Sequence, residues 1–471
     1  MTDLNQLTIK EAKEGLKVKK FSSVELTKAC LKRIKDVEPK INAFVTVCEE
    51  EAIDEAQRAD QLIKQGDDKP LLGIPISIKD NFCTSGLKTT ASSKVLDDFI
   101  PPYDATVVSK LKEAGMVMVG KTNLDAWAHG SSTETSDYGT TKNPWNINHL
   151  PGGSSGGSAA SVAADEAIAA IGSETAGSIR QPSDWCGVVG LKPTYGRVSR
   201  YGVVAMASSL DSPGPITKST EDAALILNVL AGRDDFDATT SPTKTEDYLK
   251  SLNKSIKGIK VGISDEYFDG VSESVKEKVL EGIKVIEKMG GKIKKLKLFH
   301  PKYAIAVYTI LQRAEVSSNL ARYDGIRYGN DRSYFGDEAK RRVMLGTYAL
   351  SAGYYDEYYN KAQKVRTVIV NDFEEAFKEV DVIICPTNPT TALPIGASRD
   401  NPMFGEIADA LVEPSSIAGL PGVNVPCGFS KEGLPIGFQI IGPQFSESLI
   451  LNVAHQFEQA TDHHKRKPDL K

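Results

Sequence analysis

The stretch GGSSGGS, residues 152–158, places three hydroxyl groups on a backbone without bulky side chains. It contains the spacing GxSxG twice, centred on Ser154 and on Ser155, which in α/β-hydrolases presents a nucleophilic serine. The preceding residues NPWNINHLP are polar and contain proline, which disfavours the strand that such a turn needs. A phosphate-binding loop would end in Gly-Lys-Ser or Gly-Lys-Thr, and this one ends in Gly-Gly-Ser-Ala-Ala. A flexible surface loop and a different kind of serine site remain as interpretations.

A second loop of small residues, GSETAGSIRQP, spans residues 172–182. It follows the apolar run AIAAI, so we expect it at the end of a buried strand. Thr175, Ala176 and Gly177 are small enough to let backbone N–H groups converge on one point beside Ser178, which is how an oxyanion hole is built. Two such serine loops in one region favour a catalytic role for this part of the chain.

Lys79 ends the apolar run GIPISIK. Most lysines at the ends of strands extend their ammonium group into water. A lysine buried beside hydroxyl groups instead loses the stabilisation of its charge, its pKa falls, and it can act as a general base. The sequence alone leaves both interpretations open.

Composition is that of a folded protein without a strong charge. Of the 471 residues, 40% are hydrophobic and 25% are charged, and the formal net charge is −5. Non-specific binding of nucleic acid is therefore not expected. The six cysteines form no CxxC pair, and neither cysteines nor histidines have the spacing of metal ligands. The N-terminus lacks the apolar run of a signal peptide and no membrane span is apparent, so we expect a cytoplasmic protein.

The order of predicted elements indicates an α/β fold. Residues 1–65 are expected to form a layer of amphipathic helices, with a Ser-x-x-Glu capping pattern at Ser22 or Ser23. From about residue 70, β-branched runs such as IPISIKDNF and GMVMVGKTN alternate with helical stretches such as ATVVSKLKEA. Farther on, GIKVGISDEYF is predicted to begin a strand–helix–strand unit, DVIICPTNP to form a strand, and VNVPCGFSKEGLPIGFQIIGP to form a hairpin.

Three motifs in this order resemble the amidase signature family: Lys79 in SIKDNF, Ser154 in PGGSSGGSAA and Ser178 in ETAGSIRQP. Longer stretches resemble the A subunits of tRNA-dependent amidotransferases as far as about residue 460, namely CGVVGLKPTYGRVSRYGVVAMASSLDSPGPIT, LGTYALSAGYYDEYYNKAQKVR and LPIGFQIIG. The resemblance implies the amidase signature fold, a mixed central β-sheet covered on both faces by helices. It also implies one domain over residues 1–471 rather than the three that length alone suggests. Its parts would be the helical layer at 1–65, the signature core at 70–220 and the remainder at 221–471.

The resemblance also implies roles for the three motif residues. Ser178 would attack the side-chain amide carbon of glutamine to give a glutamyl ester and ammonia. Ser154 would relay the proton of Ser178, and neutral Lys79 would be the base and then the acid for the leaving amine. The oxyanion hole would be formed by the backbone N–H groups of Thr175, Ala176, Gly177 and Ser178.

Substrate recognition is expected in two places. By the same resemblance, Arg342 would bind the carboxylate of glutamine and Asp409 its ammonium group, although a surface ion pair is the alternative for both. Gly130 and Ser131 would line the substrate pocket. His129, next to them, is either a structural hydrogen-bonding residue or a ligand contact, and we do not expect it to be catalytic.

One stretch departs from the family pattern. Many members have Asp-Thr-Gly-Gly-Ser where this chain has Glu-Thr-Ala-Gly-Ser at residues 174–178. The methyl group of Ala176 disfavours a positive φ, so we expect slightly different geometry beside the oxyanion hole. The nucleophile itself is unaffected by Glu174 or Ala176.

The implied function is the glutaminase component of a heterotrimeric, tRNA-dependent amidotransferase. Its partners would be the B and C subunits, which receive ammonia and amidate misacylated Glu-tRNA(Gln), and the sequence leaves open whether Asp-tRNA(Asn) is also used. No cofactor or metal is expected in this chain, and ATP and Mg²⁺ are expected at the partner. The cationic tail at residues 463–467 is interpreted as a solvated terminus rather than an RNA contact.

Two other functions remain under consideration. A stand-alone amidase for another small amide would have no use for a paired Arg342 and Asp409. A catalytically inactive scaffold would have no reason to keep Lys79, Ser154 and Ser178 together.

Overall fold

The N-terminal layer is helical, with one strand inserted in it. A computed structural model describes residues 3–326, 329–399, 401 and 403–470. The layer contains α1 (Ile9–Lys17), α2 (Ser23–Ile41), β1 (Phe44–Val47) and α3 (Glu49–Lys64). Ser22 caps α2 through a reciprocal capping box with Glu25, as the pattern predicted. The expectation of helices alone is wrong at β1, because Phe-Val-Thr-Val consists of residue types that favour strands and it pairs with β3 at the edge of the sheet.

A single mixed sheet forms the centre of the molecule. Its later strands are β2 (Pro75–Lys79), β3 (Val117–Thr122), β4 (Ala169–Glu174), β5 (Val189–Lys192), β6 (Ser212–Thr217), β7 (Lys260–Ser264), β8 (Lys292–Leu296), β9 (Val382–Pro386), β10 (Gly422–Phe429) and β11 (Pro435–Ile441). The spatial order is β1-β3-β2-β4-β6-β5-β10-β11-β9-β7-β8. The pairs β2–β3, β2–β4, β7–β8 and β7–β9 are parallel and the others are antiparallel. This confirms the predicted mixed sheet and the predicted hairpin, β10–β11.

Helices surround the sheet. After the N-terminal layer they are α4 (Thr106–Glu113), α5 (Gly156–Ala163), α6 (Arg180–Cys186), α7 (Thr220–Leu230), α8 (Tyr248–Ser251), α9 (Glu273–Lys288), α10 (Lys302–Asn319), α11 (Asp337–Ala349), α12 (Lys361–Phe377), α13 (Phe404–Ala408), α14 (Glu413–Ile417) and α15 (Glu447–Ala460). The two largest apolar clusters of buried residues include side chains from both sheet and helices. In the part of the chain that the structure describes, no helix is both long and apolar enough to cross a lipid bilayer.

The topology brings the two serine loops to one sheet edge. Strands β2 and β4 are parallel neighbours, with Ile78 opposite Ile171, so their carboxyl ends lie together. Lys79 is the last residue of β2 and Glu174 the last of β4. The GGSSGGS loop leads into α5, and the second loop joins β4 to α6. The predicted lysine and both predicted serines therefore lie on elements that converge at this edge.

Candidate active site

Lys79 is fully buried at the end of β2 and contacts the first serine loop directly. Its Nζ lies 2.8 Å from Ser154 Oγ, 3.0 Å from Ser173 Oγ and 3.1 Å from the Ser173 carbonyl oxygen. The interpretation of Lys79 as a solvent-exposed strand-end lysine is therefore wrong. Three oxygen atoms fix the amine against the hydroxyl group that it would deprotonate.

Burial lowers the pKa of Lys79 to about 7, against the opposing effect of the carboxylates of Asp125, Asp211 and Glu174. A lysine with a pKa near 7 is neutral in a large fraction of molecules at neutral pH. Only the neutral amine has a lone pair that can accept a proton. The site thus holds a primary amine suited to general-base catalysis.

The first loop is held by close packing around Gly153 and by the side chain of Gln181. The peptide bond between Gly153 and Ser154 is cis. The N–H of Gly153 donates to Gln181 Oε1 at 2.8 Å. A Cβ on Gly153 would lie 2.1 Å from Asp125 Oδ2 and 2.7 Å from the Ser132 nitrogen. A side chain at Gly153 therefore cannot fit, and Ser154 is completely buried. The interpretation of this stretch as a flexible surface loop is wrong.

Ser178 lies next to the first loop, and its carbonyl oxygen accepts the N–H of Ser155 at 3.1 Å. Its Oγ makes no hydrogen bond with any described residue, and the residue is 4% exposed. The hydroxyl group is therefore available to a ligand. The structure thus joins Lys79 to Ser154 directly and places Ser178 beside them, while the catalytic roles of all three remain predictions.

The loop that carries Ser178 is closed by a buried ion pair. The Glu174 carboxylate accepts the N–H groups of Ile179 and Arg180 at 3.1 and 3.0 Å. The same carboxylate accepts the Arg180 guanidinium at 2.6 and 2.9 Å. Because both side chains are fully buried, this contact is protected from solvent screening. Glu174, which departs from the family pattern, thus fixes both ends of the turn around Ser178.

The predicted oxyanion-hole residues are tightly packed. Thr175 Oγ1 donates to Asp211 Oδ1 at 2.7 Å, and the Ala176 carbonyl oxygen accepts Ser416 Oγ at 2.5 Å. Ala176 does not have a positive φ, so its methyl group introduces no backbone strain there. At Gly177 a Cβ would lie 2.4 Å from Val412 Cγ2 and 2.6 Å from Asp409 Oδ1. Glycine is therefore required at position 177 because a Cβ would not fit, and not because of its φ.

Asp409 lies at the end of α13 and faces both the loop that carries Ser178 and the predicted pocket loop. Its Oδ2 accepts Ser131 Oγ at 2.7 Å, and its Oδ1 has no hydrogen-bond partner among the described residues. Burial raises the pKa of Asp409 well above its usual value, although the Ser131 hydrogen bond opposes this. Gly130 has φ +150°, and a Cβ there would lie 2.5 Å from Asp125. The structure therefore brings Gly130, Ser131 and Asp409 together beside Gly177.

Arg342 lies on α11 and is buried, with its Nε 2.5 Å from Glu338 Oε1. Burial acts to lower its pKa, but the carboxylates of Glu338 and Glu406 outweigh it and raise the pKa of Arg342. Within the described residues its terminal nitrogens make no hydrogen bond. Because both groups are buried and no contact joins Arg342 to Asp409, a surface ion pair does not describe them. The guanidinium retains donors for a ligand carboxylate.

His129 is completely buried, and neither ring nitrogen has a hydrogen-bond partner among the described residues. Its interpretation as a structural hydrogen-bonding residue is therefore not supported by the contacts. Burial first, and then the positive charges of Arg342 and Arg313, lower the pKa of His129 well below its usual value. The imidazole is neutral beside the candidate substrate arginine.

Several residues of this site belong to no recognisable sequence motif and could not be predicted. Asp125 accepts the Ser132 N–H at 3.0 Å and the Thr135 hydroxyl at 3.0 Å, which orders the loop around Gly130. Glu406 pairs with Arg313 at 2.7 Å. Tyr308, buried on α10, is close enough to Arg342 and Asp409 for their charges to affect its pKa, which burial raises. Only the tertiary structure brings these residues together.

A cleft of about 550 Å³ borders the Arg342 side of the site. Its walls include Glu134 from the pocket loop, Glu338 and Arg341 from α11, and Ser398. Glu338 joins the cleft to Arg342 by the hydrogen bond described above. No cluster of three or more potential metal-ligating side chains occurs in the described ranges.

Comparisons with known proteins agree on one family. The Amidase family profile matches residues 25–451. The glutamyl-tRNA(Gln) amidotransferase A subunit of Thermoanaerobacter pseudethanolicus is 54% identical over 474 residues, covering 97% of each chain. The crystal structure of the glutamyl-tRNA(Gln) amidotransferase A subunit from Thermotoga maritima is 41% identical, with a TM-score of 0.85 over 100% of this chain and 99% of that one. A peptide amidase structure from Stenotrophomonas maltophilia is 29% identical, with a TM-score of 0.85 and 98% coverage of both chains.

Proposed function

Because this chain belongs to the amidase family and shares about half its residues with amidotransferase A subunits over its full length, we propose that it is the glutaminase of a tRNA-dependent amidotransferase. It hydrolyses glutamine and supplies ammonia for the conversion of Glu-tRNA(Gln) to Gln-tRNA(Gln). The observation that supports this best is the buried contact of 2.8 Å between Lys79 Nζ and Ser154 Oγ, beside the unpaired hydroxyl group of Ser178. A buried amine against a serine hydroxyl has no evident structural purpose.

The proposed reaction begins with proton transfer. Neutral Lys79 accepts the proton of Ser154 Oγ, which in turn accepts the proton of Ser178 Oγ. Ser178 Oγ then forms a bond to the amide carbon of glutamine, and the carbonyl π-electrons move to the oxygen. The N–H groups of the loop 175–178 stabilise this oxyanion.

In the second half of the reaction the proton on Lys79 is transferred to the leaving group. Protonated Lys79 gives its proton, through Ser154, to the leaving nitrogen, and the C–N bond breaks to release ammonia. A glutamyl ester remains on Ser178. Water, deprotonated by the same relay, attacks the ester carbon and releases glutamate, which regenerates the Ser178 hydroxyl group.

Two charged side chains would make the site selective for a free amino acid. The unpartnered Oδ1 of Asp409, 2.6 Å from where a Cβ of Gly177 would lie, is placed to accept the ammonium group of glutamine. Arg342, with unused terminal donors, is placed to bind the α-carboxylate. Bringing a cation to Asp409 favours the ionised carboxylate over the protonated form that burial favours.

The remaining parts of the proposal concern the assembly. The relatives are named as A subunits, which implies a complex of several chains, and we propose that B and C subunits complete it. ATP, Mg²⁺ and the misacylated tRNA are bound by the partners, and no cofactor is needed for the hydrolysis of glutamine by Lys79, Ser154 and Ser178. Because tRNA is charged in the cytoplasm, we place the complex there.

Ammonia release from glutamine, asparagine and propionamide by the purified chain, with and without its partner subunits, tests the proposal. We expect release from glutamine to exceed that from propionamide by at least about 100-fold, since the neutral amide lacks both charged groups. Arg342→Gln and Asp409→Asn should each raise KM for glutamine at least about tenfold and leave propionamide turnover unchanged. Equal turnover of glutamine and propionamide would instead identify a general stand-alone amidase.

A further inference from the structure

The outer side of α11 and the turn after it expose an unusual number of large apolar and aromatic side chains. We call this set, Met344, Leu345, Tyr348, Tyr354, Tyr355 and Tyr358, the aromatic face. Met344 is 72% exposed and Tyr348 is 49% exposed. The Tyr348 and Tyr354 ring centroids are 4.3 Å apart, and those of Tyr354 and Tyr358 are 5.9 Å apart, so the rings form one continuous surface. Contiguous exposed apolar surface of this kind marks interaction sites.

A groove of about 460 Å³ adjoins the aromatic face at Met344. Its apolar walls include Leu320, Phe335 and Val343, and Arg332 and Lys340 also line it. Each of these two cations donates only to a backbone carbonyl oxygen, Arg332 to Ala321 at 3.4 Å and Lys340 to Ser333 at 3.3 Å. Neither forms an ion pair with a described residue. The groove is therefore apolar inside, with unneutralised positive charge along its border.

The chemistry of this surface specifies its occupant. We propose that the aromatic face and the groove bind a partner protein of the amidotransferase complex through an apolar side chain flanked by carboxylates. The carboxylates would pair with Arg332 and Lys340. Tyrosine, methionine and arginine are the residue types enriched at protein interfaces. The apolar interior of the groove favours a protein side chain over a nucleic-acid backbone, whose outer surface consists of phosphates. This inference rests on the proposed function, which requires a second chain to receive ammonia.

The same helix links this surface to the candidate substrate site. The buried side of α11 carries Arg342 and Gly346. A Cβ on Gly346 would lie 1.8 Å from the Arg313 carbonyl oxygen, so α11 and α10 are in backbone contact at this point. Arg313 in turn pairs with Glu406 beside Asp409. A partner bound to the exposed side of α11 would therefore fix the position of the arginine that binds the glutamine carboxylate, and we expect KM for glutamine to be lower in the complex than in the isolated chain.

Binding of the purified partner subunits to variants of this chain tests the interface. The double variant Met344→Glu and Tyr348→Glu places two carboxylates on the aromatic face, and we expect the Kd for the partners to rise at least about tenfold. The variant Arg332→Glu and Lys340→Glu should weaken binding similarly. Val18→Glu is the matched control, because Val18 is also 72% exposed but lies at the end of α1 in the N-terminal layer, and it should bind as the wild type does.

Failure of the interface and failure of the proposed function are distinguishable. If wild-type chain does not bind the partners, the proposed function fails. If wild type and the Met344/Tyr348 variant bind equally well, only the interface is wrong. Basal ammonia release and thermal melting of each isolated variant should equal those of the wild type, because none of the four positions lies in the catalytic machinery.

A photo-crosslinking residue at Met344 gives a second measurement that does not depend on loss of binding. In the assembled complex it should crosslink to a partner protein, at a segment that contains Asp or Glu. Crosslinking only to another copy of this chain, to tRNA, or to nothing would overturn the assignment.

Discussion

The protonation state of Lys79 is the property on which the proposed chemistry depends most. Burial lowers its pKa to about 7, whereas a lysine in an unfolded chain keeps a value near 10.5. The amine is therefore charged below about pH 7 and neutral above it, and only the neutral form can deprotonate Ser154. At the residue scale, the fold converts a cation into a base by removing water from it.

We predict that kcat/KM for glutamine rises with pH through a midpoint near 7 and levels off above about pH 8. The sign follows from loss of a proton from Lys79. Asp211 provides a second check, because its carboxylate acts to raise the pKa of Lys79. Asp211→Asn should therefore move the midpoint below that of the wild type, even if it also lowers the rate. Initial rates of ammonia release between about pH 5.5 and 9 provide the measurement, and a flat profile would exclude Lys79 as the base.

Variants of the two adjacent serines of the first loop distinguish a role in proton relay from a role in packing. We predict that Ser154→Ala lowers kcat at least about 1,000-fold, since it breaks the path from Lys79 to the nucleophile. Ser155→Ala removes a hydrogen bond of 3.1 Å to the Ser173 carbonyl oxygen and should cost less than about tenfold. Steady-state kinetics of the two variants check this, with circular dichroism to verify folding. Similar losses in both would argue for a purely structural loop.

At the scale of elements, the turn between β4 and α6 carries the proposed oxyanion hole. Glu174 holds the N–H groups of Ile179 and Arg180, and the Arg180 guanidinium reaches Ser415 Oγ at 2.9 Å and Ser416 Oγ at 2.8 Å on α14. One buried arginine thus connects the nucleophile turn to the helix that follows Asp409. The proposed catalytic groups and the proposed substrate-binding groups therefore share this support.

Neighbouring positions 176 and 177 in this turn should respond differently to substitution. We predict that Gly177→Ala lowers kcat/KM at least about 100-fold, because its methyl group would overlap Val412 and Asp409. Ala176→Gly should retain activity within about threefold, since Ala176 has an ordinary φ and no glycine is required there. Steady-state kinetics with glutamine as the substrate compare the two variants. Full activity in Gly177→Ala would show that the turn is not held as described.

Elements with strong patterns could be predicted from the sequence, and those made by tertiary contact could not. β2 and β4 follow from apolar runs that end at Lys79 and Glu174, and the capping box of α2 follows from Ser22. β1 is a run of only four strand-favouring residues between two helices, and only its pairing with β3 shows that it belongs to the sheet. Likewise the roles of Ser173, which binds Lys79, and of Asp125, which orders the loop around Gly130, come only from long-range contacts and tertiary packing.

At the scale of the whole molecule, one sheet supports the two halves of the site. The proposed catalytic residues lie at the end of β2, in the loop before α5 and in the turn after β4, whereas Arg342 and Asp409 come from helices more than 150 residues farther along the chain. The single domain over residues 1–471 remains a prediction, to which the continuous eleven-stranded sheet lends support. α11 also presents the aromatic face on its other side, so the proposed substrate-binding arginine and the proposed interface lie on one helix.

The most direct test of the account is Gln-tRNA(Gln) formation by the reconstituted complex with either glutamine or ammonium chloride as the nitrogen donor. We predict that Ser178→Ala lowers the rate of Gln-tRNA(Gln) formation with glutamine at least about 1,000-fold. The rate with ammonium chloride should stay at the wild-type value. That result would place this chain at the release of ammonia and nowhere later. Wild-type use of glutamine by Ser178→Ala, or equal loss with both donors in a properly assembled complex, would contradict the account.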